Sequence, residues 1–275
     1  MPPFYIQLVL LAMGTSLLFC VLLYAFGGKA AVPPLYAENR FPTLWDTLFT
    51  SWFILILMVM LALNLPMNDA EVQMAKETVP ASSLLVSMTL QAAMYVPMVV
   101  RFALLPKRER KPLGFWRSAG MVTLTIMMVF CVCAAMTQLH LDKWLMKLTG
   151  CPEQQDVVQS MMDGNAGQKL VLALAAVVMA PIGEEVCFRG FIYNILRERA
   201  GVLSAALASG LLFGVVHCSV VQLLPLTVFG VLQCLLYEKC KTLWLPMAVH
   251  AVFNSLNVLA ILLMSAFPEY IQQAL

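Results

Sequence analysis

The sequence has very few charged residues. Of its 275 residues, only 12% are Asp, Glu, Lys or Arg, about half the ~25% that is typical of a soluble domain. Seventeen basic and fifteen acidic side chains are too few to cover the surface of a water-soluble globule of this length. The net charge of +2 supplies no basic field for a polyanion. The shortage of charge therefore excludes a soluble globule, a disordered chain and a nucleic-acid binder.

Internal repeats, low-complexity tracts and long linkers are also missing. Residues 1–275 are therefore predicted to form a single integral membrane domain. The eight cysteines do not suggest a disulfide framework, since most of them lie in or beside apolar runs. A thiol in such a run is usually a small hydrophobic side chain.

Long apolar runs are what the sequence does contain, because 61% of the residues are hydrophobic. A helix that crosses the hydrocarbon layer needs about 20 mostly apolar residues. The sequence therefore predicts an all-α, polytopic transmembrane helix bundle with about eight spans. The predicted spans are roughly 4–26, 47–66, 80–105, 114–138, 168–196, 201–218, 219–237 and 243–267.

Basic residues are concentrated in alternate loops. The loops after the fifth and seventh spans are basic on balance, and the loop after the third span is strongly so. Its basic residues are Lys107, Arg108, Arg110, Lys111 and Arg117. Because cytoplasmic loops carry an excess of Lys and Arg, the odd-numbered loops are predicted to face the cytoplasm and both termini to lie outside. In a prokaryote the chain would then be a multi-pass protein of the inner or plasma membrane.

The fifth span contains charges within an apolar helix, where they are costly. Glu185 and Arg189 are four residues apart and share a helix face, whereas Glu184 points about 100° away. The guanidinium can hold Glu185 ionised, and Glu184 is then free to face a cavity. The alternative is a purely structural ion pair between helices, with Glu184 as a spare partner.

The sixth and eighth spans add His217, His250 and Asn254. Each has an ordinary alternative, since a buried histidine can be a satisfied core residue and an asparagine can join two helices by a hydrogen bond. Two of only three histidines nevertheless lie deep in spans, together with two glutamates. This clustering favours a functional site.

These residue types suit peptide hydrolysis. A carboxylate and an imidazole can activate a water molecule, and a second imidazole and an amide can donate hydrogen bonds to an oxyanion. Glu184, His217 and His250 could instead bind zinc with one position left open, although no H-E-x-x-H helix is present. The expected cofactor is therefore either none or one zinc ion. For the carboxylate and His217 to share a water molecule, they must lie within ~10 Å of each other.

The polar residues form three ordered motifs on three spans. The motifs are Glu184-Glu185-x-x-x-Arg189, Phe213-x-x-x-His217 and His250-x-x-x-Asn254. This set resembles the CPBP family of intramembrane proteases, which comprises CAAX proteases and bacteriocin-processing enzymes and is also called the Abi family. The resemblance covers a family-like catalytic core of about residues 168–255.

The resemblance implies a helical bundle with a site inside the membrane that opens toward the cytosol. It implies an intramembrane endopeptidase of the CAAX prenyl protease type in which Glu184 and His217 activate water. His250 and Asn254 would form the oxyanion hole, and the supporting residues would be Glu185, Arg189 and Phe213. The implied substrate is a peptide or protein at the bilayer, with or without a lipid anchor. Metal dependence, the physiological substrate and the oligomeric state stay open.

Two other functions fit the same residues. The first is a non-catalytic immunity or scaffold protein that binds a peptide, and the complete motif set counts against it. The second is a proton-coupled transporter, because Glu and His also form relays inside membranes. The missing repeats and an amide at Asn254 count against transport.

Overall fold

The computed structural model describes residues 115–149, 156–217 and 219–267, together with 89, 91–93, 95–100 and 103. The regular structure of these residues is helical, which confirms the all-α class for this part of the chain. The predicted spans 4–26 and 47–66 lie outside the described residues, and 80–105 is described only in part. From residue 115 onward the helices are α1 (Phe115–Gln138), α2 (Leu141–Thr149), α3 (Asp156–Asp163), α4 (Ala166–Ala200), α5 (Val202–Val215), α6 (Val220–Cys240) and α7 (Trp244–Ala266).

Four helices of the described part are long and apolar enough to cross a membrane. They are Ala119–Gln138 within α1, and the whole of α4, α6 and α7. These helices coincide with the predicted spans 114–138, 168–196, 219–237 and 243–267. The described part of the chain is therefore an integral, multi-pass membrane protein, and the full set of eight spans stays a prediction.

Helix α5 is shorter than the span predicted at 201–218. It has 14 residues, which corresponds to ~21 Å against a hydrocarbon thickness of ~30 Å. Its start is set by Gly201, whose φ of 81° lies in the left-handed region and separates α5 from α4. Beyond its end, the Ser219 hydroxyl accepts a hydrogen bond from the Gln222 amide and caps α6.

Helices α5 and α6 pack at very short range. A Cβ atom added at Gly210 would lie 2.7 Å from the backbone nitrogen of Val231, and one added at Gly230 would lie 2.7 Å from the Gly210 Cα. A Cβ atom added at Gly214, one turn after Gly210, would lie 2.8 Å from the Leu223 carbonyl oxygen. Small residues four apart allow two helix backbones to approach in this way.

Helix α4 is the longest helix of the described part, with 35 residues. It begins with a capping box in which Asn165 and Gln168 exchange side-chain and backbone hydrogen bonds. Two π-helical segments, Ala175–Met179 and Val186–Tyr193, interrupt its α-helical geometry. The first ends two residues before Pro181. In a regular α-helix a proline ring clashes with the carbonyl group four residues earlier. At ~50 Å, α4 exceeds the ~30 Å hydrocarbon layer, so the helix extends beyond the predicted span 168–196 at both ends.

The polar connection between α1 and α4 contains two short helices. They are α2 at Leu141–Thr149 and α3 at Asp156–Asp163, and both are far shorter than a membrane-crossing helix.

The ends of α4 and α6 are joined by a group of charged and polar residues, here called the end cluster. Its members are Tyr193, Arg197, Glu238 and Lys241. Arg197 donates to Glu238 through Nε at 2.6 Å and Nη2 at 2.8 Å, and the Tyr193 hydroxyl donates to the same carboxylate at 3.0 Å. Lys241 pairs with it as well. The basic residues after α4 and α6 therefore lie at one end of the bundle, as the charge pattern predicted.

Candidate functional site

Glu185 and Arg189 form an ion pair in the middle of α4. The Arg189 Nη1 lies 3.0 Å from the Glu185 Oε1, and both side chains are essentially inaccessible to solvent. The second guanidinium nitrogen, Nη2, donates to the Gly230 carbonyl of α6 at 3.1 Å. The predicted pairing across one helical turn is thus present, and it also ties α4 to α6.

Two further side chains reach the same oxygen of Glu185. The Gln233 amide donates to Oε1 at 3.3 Å and to the Pro246 carbonyl at 2.8 Å. The His250 Nδ1 lies 2.8 Å from Oε1. An oxygen that already accepts from a guanidinium and an amide is an acceptor, so Nδ1 carries the proton of this contact. Glu185 therefore sets the tautomer of His250 and holds its ring in place.

Glu184 lies in a different environment from Glu185. Its side chain is 14% exposed, whereas that of Glu185 is fully buried. Its Oε1 is 3.4 Å from the Tyr95 hydroxyl. Its Oε2 is 3.8 Å from the His250 Nε2 and has no hydrogen-bond partner among the described residues. The predicted division of the two carboxylates, one held by the guanidinium and one turned elsewhere, matches this geometry.

Phe213 lies between the two histidines of the site. Its ring centroid is 4.8 Å from that of His217 and 5.8 Å from that of His250. The Arg189 guanidinium lies over its face at 4.7 Å, a distance at which a cation is attracted to the ring. Phe213, for which a supporting role is predicted, is thus a fully buried aromatic residue in contact with both histidines and the guanidinium.

His217 is held by its own helix. Its Nδ1 is 2.7 Å from the Phe213 carbonyl, which leaves Nε2 for another partner. In the described part of the chain no direct bond joins His217 to Glu184. The water-activating pair of Glu184 and His217 therefore stays a prediction.

Asn254 joins α7 to α4. Its Nδ2 donates to the Ala176 carbonyl at 2.7 Å, within the first π-helical segment of α4. This contact is the helix-joining alternative considered for an intramembrane asparagine. An amide nitrogen carries two protons, so this contact uses only one N–H of Asn254.

The three candidate zinc ligands do not form a metal site in this geometry. Among the described residues, no three His, Cys, Asp or Glu side chains converge as ligands of one ion. Glu184 and His250 approach each other, while the described contacts of His217 are with Phe213. No catalytic step is therefore derived through zinc.

Two contacts of the site were missed by the sequence analysis. Gln233 gave no signal because it is one amide in an apolar helix, with no spacing that links it to the motifs. Tyr95 gave none because its span contains no polar pattern. Only the packing of helices that are distant in sequence brings them to the two glutamates.

Comparisons with known proteins identify the class. Residues 166–256 match the family model described as Type II CAAX prenyl endopeptidase Rce1-like. That segment is about a third of the chain and contains all three motifs. The match confirms, for this segment, the predicted resemblance to CAAX proteases.

One curated relative is "Putative membrane peptidase YdiL" of Bacillus subtilis (strain 168). It is 30% identical over 110 residues, which are 40% of this chain and 45% of that protein. The match thus spans less than half the length of the relative. No solved structure matches the chain.

Proposed function

We propose that the protein is an intramembrane endopeptidase that hydrolyses a peptide bond by means of a glutamate-activated water molecule. One observation carries the proposal. Glu184 Oε2 is buried, has no hydrogen-bond partner in the described part of the chain, and faces the Nε2 of a histidine whose other nitrogen is bound to a second carboxylate. A carboxylate that keeps one oxygen free can take a proton from water.

In the proposed reaction Glu184 is the general base, and His217 orients the same water through Nε2. The proton of the water goes to Glu184 Oε2, and the hydroxide adds to the carbonyl carbon of the substrate. When the tetrahedral intermediate collapses, the C–N bond breaks and Glu184 returns the proton to the leaving amine. The carboxylate is then restored without any covalent intermediate on the enzyme.

His250 and Asn254 are the proposed oxyanion hole. Because the His250 Nδ1–H is directed at Glu185, its Nε2 can donate only when the ring carries both protons. The ion pair with Glu185 provides the counter-charge for that form. Asn254 contributes its second N–H, and both donors act in a site with little water, where such bonds are strongest.

The proposed substrate is a membrane-associated peptide or protein, with or without a lipid anchor. The site lies between helices α4 to α7, whose outer surfaces carry large apolar side chains such as Leu207, Leu224 and Val252. A lipidated segment can reach such a site from within the bilayer. The family description names prenyl endopeptidases, and this chemistry is carried over as part of the proposal.

The proposed topology places the ends of α4 and α6 at the cytosol. Two contacts show that the helical segment 95–100 and α4 run in the same direction, since Tyr95 meets Glu184 and Met98 meets Cys187. Parallel third and fifth spans require one crossing between them, which the predicted fourth span supplies.

The test uses purified full-length protein in lipid nanodiscs with a fluorogenic peptide library that includes farnesylated and unmodified C-termini. Glu184→Gln and His217→Ala should lower kcat by ~10²–10⁴-fold, the usual contribution of acid–base groups. A chelator arm measures the metal requirement separately. The matched control is Glu198→Gln, which alters a glutamate of the same helix beyond the site. Full hydrolysis by Glu184→Gln would overturn the proposal.

A further inference from the structure

Tyr95 contacts the proposed general base from outside the family segment. Its hydroxyl lies 3.4 Å from Glu184 Oε1, and it is separated by 89 positions from that residue in the chain. Catalytic hydrogen bonds are often long before substrate binds and shorten in the complex. The family match covers residues 166–256, so this contact comes from a part of the chain to which no function is assigned.

The position of Tyr95 depends on a glycine next to the base. A Cβ atom on Gly183 would overlap the Tyr95 ring. The absence of a side chain at Gly183 therefore creates the space in which the ring lies, one residue before Glu184. Any larger residue would push the ring and its hydroxyl away from the carboxylate.

A second contact fixes the same interface one turn further along. The Met98 sulfur lies 3.2 Å from the Cys187 Sγ, again across 89 positions, and both side chains are fully buried. Because both contacts have the same separation, the two helices run parallel and in register. The approach of Tyr95 to Glu184 is thus set by a packed interface and does not depend on one side chain.

The two oxygens of Glu184 are consequently unequal. Oε1 faces the Tyr95 hydroxyl, while Oε2 is buried, lies near His250 and has no hydrogen-bond partner in the described ranges. A carboxylate with one oxygen held by a donor keeps a single orientation, and its other oxygen is directed at the reacting water.

We propose that Tyr95 is a positioning residue for the general base, which holds Oε1 of Glu184 so that Oε2 accepts the proton from water. This inference rests on the proposed function. It assigns a role in the reaction to the predicted third span, which the sequence motifs left without one.

The test compares Tyr95→Phe with Met98→Ala in the same full-length protein. Tyr95→Phe keeps the ring on Gly183 and removes only the hydroxyl. A lost hydrogen bond to a charged group corresponds to at least about a tenfold change, so kcat should fall about tenfold, with KM unchanged. Met98→Ala removes packing at the same interface, so it should lower the midpoint and leave kcat unchanged well below that temperature.

A second variant changes the residue against which the Tyr95 ring packs. Gly183→Ala should displace the ring and reproduce the loss of kcat, because the added methyl occupies its place. The inference is wrong if Glu184→Gln is inactive while Tyr95→Phe has the kcat of the unmodified protein. It is also wrong if Tyr95→Phe lowers the midpoint and leaves kcat unchanged, as is expected of Met98→Ala. If Glu184→Gln keeps full activity, the proposed function fails first, and the two failures are distinguishable.

Discussion

Glu185 and Glu238 both take part in contacts between α4 and α6, but they differ in which of their oxygen atoms accept hydrogen bonds. In the end cluster, both oxygens of Glu238 accept hydrogen bonds, with Arg197 bound to each of them. In the middle of the helix, Glu185 receives its three donors at Oε1 alone. Its Oε2 is buried and has no partner among the residues the structure describes.

This difference distinguishes the structural carboxylate of Glu238 from the carboxylates of the candidate site. A carboxylate with every acceptor position filled, such as that of Glu238, has no capacity left, and its charge is fully used to hold two helices together. The site, defined here as Glu184, Glu185, Arg189, Gln233 and His250, keeps two buried carboxylate oxygens without partners in the described part of the chain. Leaving such atoms unpaired costs stability, a cost that a reacting site carries in return for its function.

The largest effect is expected from Arg189→Met. The change leaves Glu185 as a buried charge without its guanidinium, which costs about 3–5 kcal/mol when a buried pair is broken. His250 also loses a firmly held partner, so peptide hydrolysis should be lost as well. Thermal unfolding in detergent and the peptide assay measure the two effects. A variant as stable as the unmodified protein would show that the pair does not hold α4 against α6.

A smaller effect on stability, and none on chemistry, is expected from Arg197→Met. Glu238 would lose both of its hydrogen bonds from Arg197, and bonds to charged groups contribute about 1.5–3 kcal/mol. The thermal midpoint should fall, while kcat per folded molecule stays constant. A fall in kcat at an unchanged midpoint would contradict the division between the two regions.

Gln233→Leu should affect both properties moderately. It removes the donors to Glu185 and to the Pro246 carbonyl, and an unpaired buried group costs about 1–3 kcal/mol. Because Glu185 orients His250, kcat should fall several-fold as well. The measurement is the ratio of the kcat loss to the midpoint shift, which should exceed that of Arg197→Met. An equal ratio would mean that Gln233 belongs to the structural group.

The smallest effect is expected from Lys241→Met. Its side chain is 22% exposed, and partly exposed ion pairs contribute about 0–1 kcal/mol. Glu238 keeps Arg197 and Tyr193. The midpoint should drop slightly at low salt and should equal that of the unmodified protein at high salt, where exposed charges are screened. A large drop at high salt would place Lys241 among the buried contacts.

Local spacing predicted much of the site. The ion pair of Glu185 and Arg189 follows from a separation of four residues on a helix, and so does the divergence of Glu184 from it. The long apolar runs likewise predicted α1, α4, α6 and α7. These features depend on neighbouring residues and on composition, which a sequence displays directly.

Contacts between distant helices could not be predicted in the same way. Tyr95 reaches Glu184 only through the packing of its ring on Gly183, and nothing in the apolar run around it marks that position. Helix α5 ends at Val215, whereas the apolar run continues through the connection into α6. Hydropathy indicates which segments can lie in a bilayer, but it does not show where the chain turns between two helices.

The second π-helical segment of α4 determines which way the end of that helix faces. Arg197 follows Glu185 by twelve residues, and in a regular α-helix this separation corresponds to an azimuth about 120° away. A π segment absorbs one extra residue and turns the following side chains back by about 100°. Both residues therefore point to α6, as their contacts with Gln233 and Glu238 show. Deleting one residue from Val186–Tyr193 would rotate Arg197 away from Glu238 without moving Glu184, so the direction of the end cluster can change independently of that of the site.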